Sequence, residues 1–226
     1  MTDIHSHILP AVDDGSPNLE ESVKMLEEAK KAGFHRIIAT PHVRTQHYDM
    51  GIVRESMASL RPEAEKLGIE LIQGYEYNVR ALVDDGIDGC LRYCTEGTKT
   101  ILLEMNGRAV ASSWEGMVIQ LQQEGAEVII AHPERYINLY KNQDMVSRML
   151  EVGCRFQVDL IAMLGRTAFN PEKKFLKKLL ENGAVRWCAS DAHNAEDYRY
   201  FAQAFEKYGN EFYCTPDEFS YKELIK

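Results

Sequence analysis

Apolar positions in this chain fall into short runs that stop at polar, chemistry-bearing residues; between the runs they spread out at helical spacing. The runs are Ile37-Ile38-Ala39-Thr40-Pro41-His42, Ile69-Glu70-Leu71-Ile72-Gln73-Gly74-Tyr75-Glu76, Thr100-Ile101-Leu102-Leu103-Glu104, Val128-Ile129-Ile130-Ala131-His132, Cys154-Arg155-Phe156-Gln157-Val158-Asp159 and Val185-Arg186-Trp187-Cys188-Ala189-Ser190. Each is rich in β-branched or large apolar residues, most are flanked by Gly or Pro, and all read as buried strands. Together with the extended opening segment they make seven. The intervening stretches are helical: Leu19, Val23 and Leu26 follow a Ser16-Pro17 cap, and Val53, Met57, Leu60, Ala64 and Leu67 recur by four and three. Pro62 is expected to kink or divide the second helix. Looser patterns cover roughly residues 113–124, 142–152, 172–182 and 195–207. Regular strand–helix alternation implies parallel pairing and right-handed crossovers. The fit is an α/β fold, a distorted seven-stranded (β/α) barrel related to the eight-stranded one, whose active site gathers at the C-terminal ends of the strands.

The residues at those ends are of one chemical kind. His5 and His7 stand two apart in an extended segment and share a side of it, so they can bind one ion together. Asp13-Asp14 follows, and later runs end in His42, Glu76, Glu104, His132 and Ser190-Asp191-Ala192-His193. Mixed imidazole and carboxylate donors suit Mn²⁺, Fe²⁺ or Zn²⁺. Arg135 stands three residues after His132, where the plain reading is an ion pair with Glu134. Other residues have plainer readings. Asp13 shapes the turn before Gly15, His35 and His47 are surface or capping residues, and Tyr75 and Tyr77 are packing or rim residues. Arg44 and the Tyr48 region follow a strand end and line an entrance.

The composition narrows the function. A chain of 226 residues with 45% hydrophobic content and no linker or repeat is expected to form one domain over residues 1–226. No signal peptide is expected ahead of His5, no run reaches membrane-spanning length, and five cysteines without framework spacing suggest reduced thiols in the cytoplasm. A net charge of −9 argues against a nucleic-acid partner, though bound cations would let the site take an anionic substrate. A thiolate phosphatase needs Arg six positions after its Cys. Six positions after Cys90, Cys94, Cys154, Cys188 and Cys214 stand Glu96, Thr100, Leu160, Asn194 and Ser220. No Gly-x-Ser-x-Gly elbow is present either.

The ordered series Asp3-Ile4-His5-Ser6-His7-Ile8-Leu9-Pro10, Asp13-Asp14-Gly15, Thr40-Pro41-His42, Gly74-Tyr75-Glu76, Leu103-Glu104, Ala131-His132-Pro133-Glu134-Arg135 and Ser190-Asp191-Ala192-His193 resembles the motifs of the polymerase-and-histidinol-phosphatase (PHP) family. Within it, the series is most similar to the manganese-dependent protein-tyrosine phosphatases of bacterial capsule and exopolysaccharide clusters. The resemblance implies a PHP-type barrel with three divalent ions, manganese foremost. His5, His7, Glu76 and Asp191 would hold the first; Glu76, Glu104 and His132 the second; Asp14, His42 and His193 the third. It also implies Arg135 on the phosphate, His193 as a proton source, and a second phosphate arginine, for which Arg199 is the nearest candidate. There Asn194-Ala195-Glu196-Asp197-Tyr198-Arg199 departs from the family's Arg-Pro-Pro continuation. The implied substrate is a phosphotyrosine protein, such as the tail of a bacterial tyrosine kinase controlling polysaccharide export. A small-molecule phosphatase of the histidinol-phosphate kind and a catalytically silent scaffold are the alternatives. The resemblance also allows self-association through helices on the barrel exterior.

Overall fold

The computed structural model describes residues 1–44, 48–105, 110, 112–165 and 170–209. Strand and helix alternate along it: β1 (Thr2–Ser6), α1 (Leu19–Lys31), β2 (Arg36–Ala39), β3 (His42–Val43), α2 (Met50–Lys66), β4 (Glu70–Gln73), β5 (Glu76–Asn78), α3 (Leu82–Cys90) and β6 (Thr100–Glu104). The order continues with α4 (Trp114–Gln123), β7 (Glu127–Ala131), α5 (Ile137–Lys141), α6 (Gln143–Glu151), β8 (Arg155–Asp159), α7 (Pro171–Glu181), β9 (Val185–Ala189) and α8 (Ala195–Tyr208). Neighbouring strands pair in parallel, as expected of an α/β fold. His47, Cys214 and the stretch 212–226 lie outside the described residues.

The expected single ring of seven strands is drawn differently. Among the described residues there are nine strands in two sheets, one of three in the order β1-β2-β4 and one of six in the order β3-β5-β6-β7-β8-β9. Two of the apolar runs are interrupted. Pro41, which has no N–H to give a ladder, separates β2 from β3. Gly74-Tyr75 separates β4 from β5. A side chain at 74 would stand 2.7 Å from Ile38 Cγ2, so the close approach of the two strands there requires glycine. Hydrogen bonds cross the interruptions, from Thr40 N to Ser6 O (2.9 Å), Gly74 N to Ala39 O (2.8 Å) and Glu76 N to Pro41 O (3.1 Å). Ser6 at the end of β1 meets Ala192, three residues past β9, in an isolated parallel bridge.

Burial divides into two layers. Ile4, Ile38, Ile72, Leu102, Ile129, Ala131, Trp187 and Ala189, from β1, β2, β4, β6, β7 and β9, form a small inner cluster. Their alternates Ile37, Leu71, Ile101, Leu103, Val128 and Ile130 join the large cluster that includes Leu26, Leu60, Leu121, Leu176 and Phe201 from the helices. The two-residue period of each strand therefore sorts its side chains between an inner face and a helix-covered face.

Several local expectations change. The α1 cap is Asn18, whose side chain accepts from Glu21 N at 3.0 Å, one step past Ser16-Pro17. Pro62 lies inside an undivided α2. Its fixed φ is helix-compatible and the residue is exposed, so the forgone N–H bond falls where water can serve the freed carbonyl. The periodicity did not announce α3, which carries a non-helical Gly86, or the five-residue α5. Among the described residues no helix is long and apolar enough to cross a membrane.

Candidate metal centre

The inner-face period carries on past the apolar floor into polar chemistry. Ile38 leads by twos to Thr40 and His42, Ile72 to Gly74 and Glu76, Leu102 to Glu104, and Ala189 to Asp191. Two ends need more than the period. A register irregularity in β1 between Asp3 and Ser6 changes parity, so His5 and His7 join the inner side that Ile4 occupies below. His132 follows Ala131 directly and would face outward, but its left-handed backbone (φ 33°) turns the imidazole back. Asp191 is also left-handed (φ 48°), with its N–H held on His5 O at 3.0 Å. Strained backbone of this sort persists where the surroundings over-determine it, and it concentrates at functional sites.

Four donor atoms converge at the centre. His5 Nε2 and His7 Nε2 are 3.2 Å apart, and each lies 3.2 Å from Asp191 Oδ1 and 3.4 Å from Glu76 Oε2. The other ring nitrogens are committed as donors, His5 Nδ1 to Gln157 Oε1 (2.8 Å) and His7 Nδ1 to Asp13 Oδ2 (2.7 Å). Both Nε2 lone pairs therefore point at two carboxylate oxygens and at each other, an arrangement that only a cation relieves. In a tetrahedral shell with donors about 2.0–2.1 Å from an ion, neighbouring donors stand about 3.3–3.4 Å apart. The residues fit a metal. In its absence protons take the place: burial opposes a charged His5, but Asp191 and Glu76 outweigh it and raise this imidazole to about 9. His7 is raised well above its usual value against the same burial, by Asp13, Asp191 and Glu76.

Glu76 ties this centre to its surroundings. Its Oε1 lies 2.7 Å from His132 Nε2, and its buried Oε2 faces His42 Nδ1 at 2.7 Å without hydrogen-bond geometry. Beyond His42, Asp14 Oδ1 stands 3.2 Å from His42 Nε2 and 3.7 Å from His193 Nε2. Among the described residues, groups whose ligand atoms all lie within 4.8 Å of one another are His7, Asp14, His42 and His193; His5, His7 and Glu76; His5, His132 and Asp191; and His42, Glu76 and Glu104. Every residue expected as a ligand falls in at least one of them. The grouping is more interwoven than three separate sites, with His7 reaching toward the Asp14 end and His132 toward His5.

Of the three residues expected in catalysis, Arg135, His193 and Arg199, two sit at this centre. Arg135 Nη2 donates to Asp191 Oδ2 (2.5 Å) and Asp159 Oδ2 (3.2 Å), and its side chain keeps 40% of its surface exposed. Its partner is thus not Glu134, which is buried and accepts from Asp159 N instead. Burial, reinforced by Asp159, pushes Glu134 up to about 8. Asp159 is raised to about 6, again chiefly by burial. His193 stacks on His7 at 4.1 Å and donates from Nδ1 to Asp191 O, which leaves Nε2 toward Asp14; burial, then His7, lower its pKa. Arg199 is not brought to the centre. Asn194 starts α8 with a capping box directly after His193, and the helix carries Arg199 to the α1 surface, where Glu28 holds it at 3.1–3.2 Å.

Two residues read more modestly from the sequence take part. Asp13, expected to shape a turn, also holds the His7 ring and accepts from His42 N at 3.0 Å. Gln157 carried no signal except its place on an inner face among apolar neighbours. Arg44, expected at the entrance, reaches Asp14 (3.2 Å) and His42 Nε2 (2.6 Å). Tyr75 and Tyr77 pack with Tyr93, as expected of packing residues. The buried Cys90 thiol is pushed up by burial, and Cys154 likewise to about 12, the opposite of an activated nucleophile.

Known proteins of the same construction carry matching names. The chain is 30% identical over 213 residues to the tyrosine-protein phosphatase YwqE of Bacillus subtilis, covering 90% of this chain and 81% of that one. It is 29% identical over 226 residues to the tyrosine-protein phosphatase CpsB of Streptococcus agalactiae serotype III, covering 92% of each. It superposes with a TM-score of 0.84 on a chain from the crystal structures of YwqE from Bacillus subtilis and CpsB from Streptococcus pneumoniae, described as unique metal-dependent tyrosine phosphatases. There the identity is 29%, with 100% of this chain and 94% of the other covered. The family model for capsular polysaccharide synthesis proteins of the CpsB/CapC type matches residues 1–204. With that match spanning the whole metal centre, the chain belongs to the CpsB/CapC family.

Proposed function

We propose that this protein is a metal-dependent protein-tyrosine phosphatase. The observation that carries the reading is the convergence of His5 Nε2, His7 Nε2, Glu76 Oε2 and Asp191 Oδ1 beside the Arg135 guanidinium. Membership of a family whose named relatives are tyrosine phosphatases supports it. We assign three divalent ions, manganese first and Fe²⁺ or Zn²⁺ as substitutes. His5, His7, Glu76 and Asp191 would hold one, Glu76, Glu104 and His132 a second, and Asp14, His42 and His193 a third. Bound cations supply Lewis acidity, which activates water and neutralises charge at phosphorus.

The chain's own residues do the rest. Arg135 offers a planar, permanently charged fork to the phosphoryl oxygens, and Asp159 and Asp191 hold it in place beforehand. Gln157 and Asp13 fix the tautomers of His5 and His7, keeping their Nε2 lone pairs inward. A phenolate leaving group, with a pKa of about 10, needs little protonation; His193, whose Nδ1–H is held by Asp191 O and whose Nε2 faces Asp14, serves as a ligand and not as the proton source the resemblance implied. No covalent phospho-enzyme is required.

The substrate is then the phosphotyrosine of a protein, such as the tail of a bacterial tyrosine kinase in capsule or exopolysaccharide regulation, and the place of action the cytoplasm. The chain works as one catalytic unit over residues 1–226. The two sheets form one interrupted seven-stranded barrel, β2 with β3 and β4 with β5 each counting as a single strand. The inner cluster drawn from both sheets and the Ser6–Ala192 bridge support that closure. The test is turnover of a phosphotyrosine peptide against histidinol phosphate, with metal content measured alongside. His132→Ala should lose metal; Arg135→Ala should keep metal and slow turnover. Full rates in both variants, or a clear preference for histidinol phosphate, overturn the assignment.

A further inference from the structure

Arg135 Nη2 is shared between Asp191, in the metal centre, and Asp159, and Arg135 and Asp159 together line a cleft of about 550 Å³ that the proposed mechanism does not use. The floor of this cleft is the short 3-10 turn Leu160–Leu164 after β8, which presents Ile161, Ala162 and Leu164, and its far wall includes Tyr200 of α8. These apolar residues are only partly buried, while their neighbours Leu160 and Met163 are fully buried beneath them. The turn is held firmly: Asp159 caps it, its Oδ1 accepting from Ile161 N at 2.8 Å, while Oδ2 of the same side chain holds Arg135 at 3.2 Å. One carboxylate thus sets both the phosphate-facing cation and the apolar floor beside it.

We propose that this cleft is the aryl subsite, receiving the aromatic ring of the phosphotyrosyl residue while its phosphate lies against Arg135. The inference rests on the phosphatase reading and adds to it the reason a phosphoaryl group is preferred. A phosphoryl group on Arg135 would lie beside the cleft, because Arg135 lines it and also pairs with Asp191 of the metal centre. A flat ring there covers Ile161, Ala162 and Leu164 and meets the Tyr200 ring, an arrangement that favours an aromatic over a short alkyl group. On the other side of the centre, the cleft at Asp14 and His193 is lined mostly by polar groups, among them Asn18, Glu20, Glu21 and Lys24, with Pro17 as its one aliphatic side chain.

The test is binding without turnover. Phenylphosphonate, methylphosphonate and inorganic phosphate are titrated calorimetrically into the manganese-loaded protein, so leaving-group chemistry plays no part. Phenylphosphonate should bind at least about tenfold tighter than methylphosphonate, a difference on the scale of one buried ring face. Ala162→Trp, which fills the cleft, should reduce that ratio to within about twofold while inorganic phosphate affinity and metal content stay unchanged. Tyr200→Ala, on a different element, should reduce it by a smaller factor and guards against a local folding failure of the first variant. Equal affinities for the two phosphonates, or a preference that survives both substitutions in folded protein, overturns the aryl subsite alone. Failure of the wild type to bind any of the three ligands overturns the phosphatase reading and this inference with it.

Discussion

The Nδ1–H of His5 donates to the side-chain oxygen of Gln157 across 2.8 Å, 152 residues away in sequence, and both groups are fully buried. This bond leaves His5 with a lone pair on Nε2, the atom that faces His7, Glu76 and Asp191. Outer partners of this sort typically change metal affinity about 10–100-fold. Gln157→Leu should weaken manganese binding by that order, measured by competition with a chelator. Gln157→Glu, which keeps an acceptor, should retain most of it. Equal loss in both would assign Gln157 a packing role only.

Arg135 separates binding of substrate from binding of metal. Its removal takes away a preorganised donor but no ligand atom. Arg135→Ala should lower kcat/KM about 10²–10³-fold, the usual cost of losing such a donor, with manganese stoichiometry intact. The shorter reach and point charge of Arg135→Lys should restore only part of it. Metal analysis beside steady-state kinetics checks both.

Proton competition governs loading. With metal removed, His5 titrates near 9 instead of 6.5, so below that value a proton occupies the nitrogen a metal needs. Manganese affinity should therefore rise with pH up to about 9, and loading at neutral pH should release protons to a weakly buffered solution. Stability runs the other way in the chelated protein. A raised imidazole stabilises the fold fully below 6.5, and that contribution is lost as pH climbs through about 9. Its Tm should fall across that window, while the metal-loaded protein, in which no such proton is bound, should not follow it.

Gly15 is a steric necessity for the first loop. A Cβ there would lie well inside contact distance of the His7 carbonyl oxygen, at 2.1 Å. Asp14 precedes it, and Asp13 accepts from its N–H at 3.0 Å. Gly15→Ala should destabilise the protein by about 1–3 kcal/mol through overpacking and should weaken metal binding as Asp14 and His7 move. Differential scanning calorimetry with and without manganese separates the two effects, since only the second depends on metal.

Much of this protein is determined locally. The strand–helix alternation, the parallel α/β class and the His, Asp and Glu at strand ends were legible because a strand has a period of two and a helix 3.6, and both leave their mark on the order of apolar residues. Tertiary structure alone decided the rest. Proline at 41 and the close approach at Gly74 divide the expected strands, yet neither effect exists until neighbouring strands are in place. His132 reaches the centre through a left-handed backbone that propensity does not predict, and Gln157 becomes an orienting group only because β8 lies opposite β1. Arg199, the nearest arginine by position, is carried off to Glu28 because α8 begins immediately after His193. A sequence sets which groups are available and on which face of their element they stand. Which of them meet depends on long-range packing, whose contacts no local pattern encodes.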